Sequence, residues 1–98
     1  MIIYETISKE VVKGKVLKCS LKVFKNGEML RNVSLEYGKA YRVIPDNPRK
    51  MKHRDKVGVL VGFRNNEHGD VYQARIKFDE TGKIGFVDIG DLHHFRTE

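Results

Sequence analysis

The residues best suited to chemistry in this 98-residue chain form a cluster of cations in the segment NPRKMKHRDK, residues 47–56. Within it, residues 49–56 form what we call the basic loop, in which only Asp55 is acidic. Guanidinium and ammonium groups bind phosphate through charge-assisted hydrogen bonds and counterion release, and counterion release needs no fixed geometry. The cluster therefore predicts contact with a polyanion through Arg49, Lys50, Lys52, His53, Arg54 and Lys56.

The excess positive charge is concentrated in the basic loop. The chain has a formal charge of +6 at neutral pH. The basic loop holds five Lys or Arg against one acid, residues 1–48 hold nine against five, and residues 57–98 hold five against seven. Such concentration is typical of an electrostatic footprint rather than of charge spread for solubility. Nucleic acid, DNA or RNA, is the expected partner, and an acidic protein is the alternative.

Other chemistry has weaker support in the sequence. A catalytic site needs a nucleophile beside a base, or two facing carboxylates in a pocket. Cys19 alternates with apolar residues and is expected in the core, while Asp88 and Asp91 lie near Gly90, where a turn or cap is the commoner role. The four histidines show no metal-ligand spacing, and no phosphate-binding glycine motif occurs. We expect no enzyme, no cofactor and no metal.

The same sequence indicates a cytoplasmic protein. A single cysteine cannot form a disulfide within the chain. The first ten residues, MIIYETISKE, do not have the basic and apolar regions of a signal peptide. No apolar segment approaches membrane-spanning length, so no membrane partner is expected.

Strands must position these residues, because apolar and polar side chains alternate along most of the chain and no helical period is sustained. The alternating segments are 17–23, 33–37, 41–43, 57–63, 72–78 and 84–89. In 57–63 the valines are expected to face the core, with Gly58 and Gly62 opposite. Arg75 and Lys77 are expected to point away from the core, and Arg64 lies in a predicted loop over 62–71. These three cations extend the candidate surface.

Two glycines indicate the registers of two hairpins. A three-residue loop at 25–27 places Gly27 in a left-handed position and pairs Cys19 with Val33, apolar against apolar. The segment ETG at 80–82 follows the same logic, with Gly82 left-handed and Phe78 opposite Ile84. Because a one-residue slip inverts the faces of a strand, both registers are specific predictions.

From about residue 40 the layout resembles a small five-stranded barrel of the Src-homology-3-like type. HRDKVGVLVGF is similar to the first strand of KOW-motif domains, and VYQARIKFD followed by KIGFVDIGDL continues a Tudor-like order. The resemblance implies a binding module for RNA, DNA or the proteins that handle them. The prediction is one all-β domain over 1–98, with a barrel over 40–98 and an N-terminal strand and hairpin over 1–39.

Two further expectations concern how the parts work together. The N-terminal hairpin is expected to pack onto the barrel, because Phe24, Met29 and Leu30 would otherwise remain exposed. Binding is expected to be largely sequence-tolerant, through phosphate contacts. Single-strand binding would need aromatic stacking, for which the candidates are Tyr41, Phe63 and Tyr72, all three with a competing role in the core.

Overall fold

The computed structural model describes residues 2–45 and 47–95. Along these residues run β1 (Ile2–Val12), β2 (Lys15–Lys25), β3 (Glu28–Glu36), β4 (Ala40–Val43), β5 (Val57–Asn65), β6 (Val71–Phe78), β7 (Ile84–Asp88), a 3-10 helix (Ile89–Asp91) and β8 (Leu92–His94). The predicted all-β class is confirmed. Within the same residues, no helix has the length and apolar character needed to cross a membrane.

The strands form two antiparallel sheets. Sheet A has the order β1-β2-β3, and sheet B has the order β7-β6-β5-β4-β8. Sheet B therefore contains five strands in the region predicted to be a barrel. Neither sheet closes on itself in the described part of the chain, since β7 and β8 lie at opposite ends of the order. A closed barrel is thus replaced by an open five-stranded sheet.

The turn between β2 and β3 differs from the three-residue loop predicted from the sequence. Lys25 pairs with Glu28, so the turn contains two residues. These are Asn26 and Gly27, with φ of 52° and 84°. Two consecutive positive φ angles are typical of a type I′ turn, whose twist matches that of the flanking strands.

A bulge at Leu30 then shifts the register of β3 by one residue, so that the apolar side chains of β2 and β3 lie on the same face. Beyond the bulge, Leu21 pairs with Val33 and Cys19 with Leu35. The requirement that apolar residues face each other is satisfied. The predicted pairing of Cys19 with Val33 is wrong, because a bulge adds one residue to one strand and shifts the register.

The hairpin between β6 and β7 is also one residue away from its predicted register. Gly82 has the predicted left-handed conformation, with φ of 68°, and donates a hydrogen bond to the Phe78 carbonyl at 2.8 Å. However, Ile84 pairs with Lys77 instead of Phe78. The shift places Ile84 and Phe86 on the outer face of sheet B, where they are 50% and 44% exposed.

The first half of β5 has its two faces exchanged relative to the prediction. Gly58 is buried, whereas Val57 and Val59 are only half-buried. A Cβ atom on Gly58 would lie 2.5 Å from Ile76 Cγ2 and from the Lys77 carbonyl oxygen. The absence of a side chain at Gly58 therefore leaves space in the core that Ile76 occupies. The alternation of valines in the sequence does not show that the glycine faces the core.

The two sheets share one cluster of buried residues, so the N-terminal hairpin packs onto sheet B as expected. The residues that make this contact differ from the expected ones, since Met29 and Leu30 remain exposed. Sheet A contributes Cys19, Leu21, Val23, Val33 and Leu35, the 3-10 helix contributes Ile89, and sheet B contributes Tyr41, Val43, Leu60, Val71, Ala74, Ile76, Phe78, Val87 and Leu92.

Hydrogen bonds also join the sheets at the 3-10 helix. The Arg31 guanidinium donates to the carbonyls of Gly90 and Leu92 at 2.7 and 2.8 Å. On the other side of sheet A, Thr6 Oγ1 accepts a hydrogen bond from the Val71 amide at 3.1 Å. Sheet A thus fixes the chain on both sides of Asp91, whose carboxylate forms part of the site described below.

Candidate functional site

The basic loop folds into a series of turns bonded to β4 and to itself. The Val43 amide donates to the Lys56 carbonyl at 2.9 Å. The Arg54 guanidinium donates to the carbonyls of Lys50 and Asn47 at 2.7 and 2.8 Å. Arg54 therefore stabilises the loop conformation, and its guanidinium is engaged with backbone carbonyls of the loop itself.

Lys50 is held by two carboxylates that the sequence places about forty residues away. Its Nζ lies 2.6 Å from Asp88 Oδ2 and 2.6 Å from Asp91 Oδ2. Gln73 Nε2 donates to the other oxygen of Asp88 at 3.0 Å. We call these four residues the Lys50 cluster. It gives both acids a role, since Asp88 at the end of β7 and Asp91 in the 3-10 helix together anchor the basic loop.

The pKa shifts in the Lys50 cluster follow from these contacts. Burial alone would lower the pKa of Lys50, but hydrogen bonds to Asp88 and Asp91 outweigh it, and the net shift is upward. Burial would raise the pKa of Asp88, but the hydrogen bonds from Lys50 and Gln73 hold that pKa below its usual range. Lys50 and Asp88 are thus charged at neutral pH, and the acidic residues of the cluster offset part of the loop's positive charge.

His53 lies inside the loop and contacts the core. Its ring stacks on Phe78 at a centroid distance of 4.5 Å, over Gly85, where a Cβ atom would lie 3.0 Å from His53 Nε2. Burial lowers the pKa of His53, and the nearby charges of Lys56 and Lys52 lower it further. The imidazole is therefore neutral at pH 7 and serves as a packing group.

Three of the six predicted loop cations remain available at the surface to different degrees. Arg49 and Lys52 are exposed. Lys56 is half-buried, with its ammonium 5.7 Å from the Phe78 ring centroid. The surface that the loop offers to a polyanion is therefore smaller than its composition indicates.

The three cations predicted outside the loop come together on the outer face of sheet B. Arg75 lies directly opposite Phe86 of β7, and Lys77 lies two residues further along the same face of β6. The Arg64 guanidinium lies 4.7 Å from the centroid of the Phe86 ring. Gly62 leaves room beside Arg75, whose Cδ would be 3.2 Å from a Cβ atom there. Arg64 reaches this face because β5 continues through Asn65, so Arg64 lies in the strand and not in the predicted loop.

A cavity of about 120 Å³ connects this outer face to the basic loop. Phe86 and Gln73 line it from the sheet, and Lys50, Lys52, His53 and Asp88 line it from the loop and the end of β7. Three of these groups have shifted pKa values, namely Lys50, His53 and Asp88. The combination of an aromatic wall with a few polar groups of shifted pKa makes this cavity a candidate binding site.

The aromatic residues expected to stack on bases are largely occupied by packing. Tyr41 is fully buried and its hydroxyl accepts a hydrogen bond from the Glu36 amide at 2.8 Å. Phe63 packs against the core. Tyr72 is half-buried and lies 5.9 Å from the Arg64 guanidinium. Phe86 is an exposed aromatic ring of this face. The predicted pairing of Phe78 with Ile84 would have placed Phe86 opposite Ile76 in the core, and the observed β6–β7 register places it opposite Arg75.

The remaining candidate residues have structural surroundings. Cys19 is fully buried, which raises the pKa of its thiol to about 11. His94 packs against Tyr41 with ring centroids 5.3 Å apart, while Arg31 approaches Nδ1 of the preceding residue, His93. Residues 2–45 and 47–95 contain no group of three His, Cys, Asp or Glu side chains arranged to hold a metal ion.

Comparisons with known proteins identify no relative of this chain: no family model, no curated protein and no solved structure matches it.

Proposed function

We propose that this protein is a non-catalytic nucleic-acid-binding module. The observation that supports the proposal best is the position of Arg64 and Arg75 beside the exposed ring of Phe86, with Lys77 further along the same face of β6. Cations provide phosphate contacts through counterion release, and an exposed aromatic ring among them provides a surface for a base. Lys52, on the far side of the cavity, extends the same surface.

We also propose that residues 40–98 are related to the small barrels of the Src-homology-3-like type. Five consecutive antiparallel strands in this region support the relation. Close contacts at Gly58 and Gly85 support it as well, because glycines relieve crowding where small sheets coil tightly. Such folds carry many functions, so the binding proposal depends on the site and not on the fold.

The test is fluorescence anisotropy with labelled single- and double-stranded DNA and RNA over a range of salt concentrations. Replacing Arg64, Arg75 and Lys77 together by alanine should weaken binding. It should also reduce the slope of log affinity against log salt concentration by about 0.7–0.9 for each phosphate that the variant no longer neutralises. A matched control removes the same charge from the other sheet, at Lys18, Lys22 and Lys25 of β2.

The two triple variants separate a local site from a general charge effect. The control should leave the salt slope nearly unchanged, because its lysines lie on a different sheet from Phe86. Equal loss of affinity in both variants would mean that net charge alone drives binding. Absence of binding by the native protein, even at low salt, would reject the proposed function.

A protein-interaction module is the second candidate, and one observation favours it. Ile3, Phe24 and Met29 form a cross-strand row on the outer face of sheet A, with Ile3 and Met29 exposed. An exposed apolar row next to unpaired edge strands is a typical site for a partner protein. A partner retained after nuclease treatment and released by Met29→Glu would support this function.

A further inference from the structure

We propose that the cavity between the basic loop and the outer face of sheet B holds one unstacked pyrimidine base of the bound strand. The inference rests on the proposed function and adds what the sequence analysis did not predict, namely recognition of a base. It also implies that the contacted nucleotide is unpaired, because a paired and stacked base cannot enter a pocket.

The size of the cavity favours a single ring. Its volume is about 120 Å³. An apolar protein cavity of about 150 Å³ accommodates benzene, so the enclosed part of this space is of the order of one six-membered ring, and the second ring of a purine would have to lie outside it. The cavity is open to solvent on one side, which leaves room for the sugar and phosphate to remain outside.

Phe86 provides the stacking wall of the pocket. Its ring is 44% exposed, so no other side chain of the described chain covers it fully. The Arg64 guanidinium, 4.7 Å from the ring centroid, holds the ring in place through a cation–π contact. A ring that is already fixed loses little conformational entropy when a base stacks on it, which favours binding.

The polar groups of the pocket match the edge of a pyrimidine. Gln73 Nε2 donates to Asp88, so its Oε1 is the atom left to accept a hydrogen bond from a base N–H. The Lys50 ammonium has three protons, of which two point to Asp88 and Asp91, and the third can donate to a base carbonyl. Lys52 at the cavity wall is placed to meet the adjoining phosphate.

The chain contains no tryptophan, which allows a direct test. Phe86→Trp introduces a single tryptophan into the pocket wall, whose emission can be separated from that of the four tyrosines, and a stacking base should quench it. Ile84→Trp is the matched control, because Ile84 lies on the same face of β7 and does not line the cavity. Oligothymidylate should quench the first variant strongly and the second weakly, and an abasic strand of the same length should quench neither.

Affinity measurements complete the test. Phe86→Ala should weaken binding of oligothymidylate about tenfold, the usual effect of losing one stacked base, while binding of the abasic strand stays the same. Thymidine monophosphate at high concentration should quench the Phe86→Trp reporter if the pocket accepts a free nucleotide as well as a base within a strand. Quenching by the strand alone would assign the site to polymers, which equally supports the proposal.

The outcomes distinguish failure of this inference from failure of the proposed function. If the abasic strand binds as tightly as oligothymidylate, and Phe86→Ala changes neither, the module binds backbone only and the base pocket is wrong. If oligoadenylate quenches the reporter as strongly as oligothymidylate, the preference for pyrimidines is wrong. If no strand binds at all, the proposed function itself fails.

Discussion

Replacing Lys50 by methionine tests whether the basic loop is anchored by the Lys50 cluster. Methionine keeps most of the apolar stem and removes the charge, so Asp88 and Asp91 lose their shared partner. The two ion pairs are not equal. Asp88 is 39% and Lys50 is 35% exposed, and a pair this exposed contributes at most about 1 kcal/mol after solvent screening.

The ion pair with Asp91 dominates, because the Asp91 side chain is only 8% exposed. Leaving a fully buried charge without its partner costs about 3–5 kcal/mol. Since Lys50 itself is partly exposed, we expect about half of that, roughly 2 kcal/mol. For a domain of this size each kcal/mol lowers the melting temperature by about 4–8 °C, so the expected decrease is about 8–16 °C.

Thermal unfolding followed by circular dichroism measures this shift, with Lys52→Met as the control. Lys52 is an exposed neighbour in the same loop, and its substitution should change stability by no more than about 0.5 kcal/mol. The deficit of Lys50→Met should also shrink in acid. Asp88 has a lowered pKa, so the stability that its ion pair provides is present above the normal aspartate pKa and disappears as the pH falls below it. Equal melting temperatures for the two variants at pH 7 would refute the anchoring role.

Three further predictions follow from local contacts. Gly58→Ala should destabilise the fold by about 1–3 kcal/mol in denaturant titrations, because its Cβ atom would lie 2.5 Å from Ile76 and from a backbone oxygen; Gly62→Ala, beside a flexible arginine, should cost clearly less. Stability should rise with pH through the window just below 6.5, because folding lowers the pKa of His53 and the unfolded chain binds the proton more tightly. His53→Phe, which keeps an aromatic stack, should flatten this dependence in melting experiments, and an unchanged profile would exclude His53 as its source. Cys19 should react with a thiol reagent only when the protein unfolds, because the thiol is fully buried and its pKa is raised to about 11; rapid labelling of the native protein would contradict this.

The sequence predicts strand positions well and registers poorly. Alternation in β2, β3 and β6 identifies core residues such as Leu21 and Ile76, because one face of each strand must be buried. A bulge at Leu30 and a one-residue shift before Ile84 are set by turn geometry and by packing between the sheets. The alternation of apolar residues does not predict the bulge or the register shift, and both change which side chains face solvent.

The sequence likewise predicts some residues of the candidate site and misses those whose position depends on register or on distant contacts. The cations Arg75 and Lys77 were found from alternation in β6, and the structure places them on one outer face. Phe86 was missed because the predicted register buried it. The partners of Lys50 were missed because Asp88 and Asp91 are distant in sequence, and a count of charges within a segment cannot include acids that the fold brings to it.

Asp88 and Asp91 offset part of the positive charge of the basic loop, and this changes which surface is expected to bind the nucleic acid. A flexible loop with five cations would bind phosphates through diffuse attraction, and its composition alone suggested that role. The folded loop instead uses Lys50, His53 and Arg54 for contacts within the protein, and Lys52 lines the same cavity as Phe86. Anchoring reduces the number of free charges but removes the entropy cost of ordering those that remain. A rigid loop edge next to an exposed ring favours recognition of one base over sequence-blind attraction along a backbone, which is why the comparison of oligothymidylate with an abasic strand is the decisive experiment.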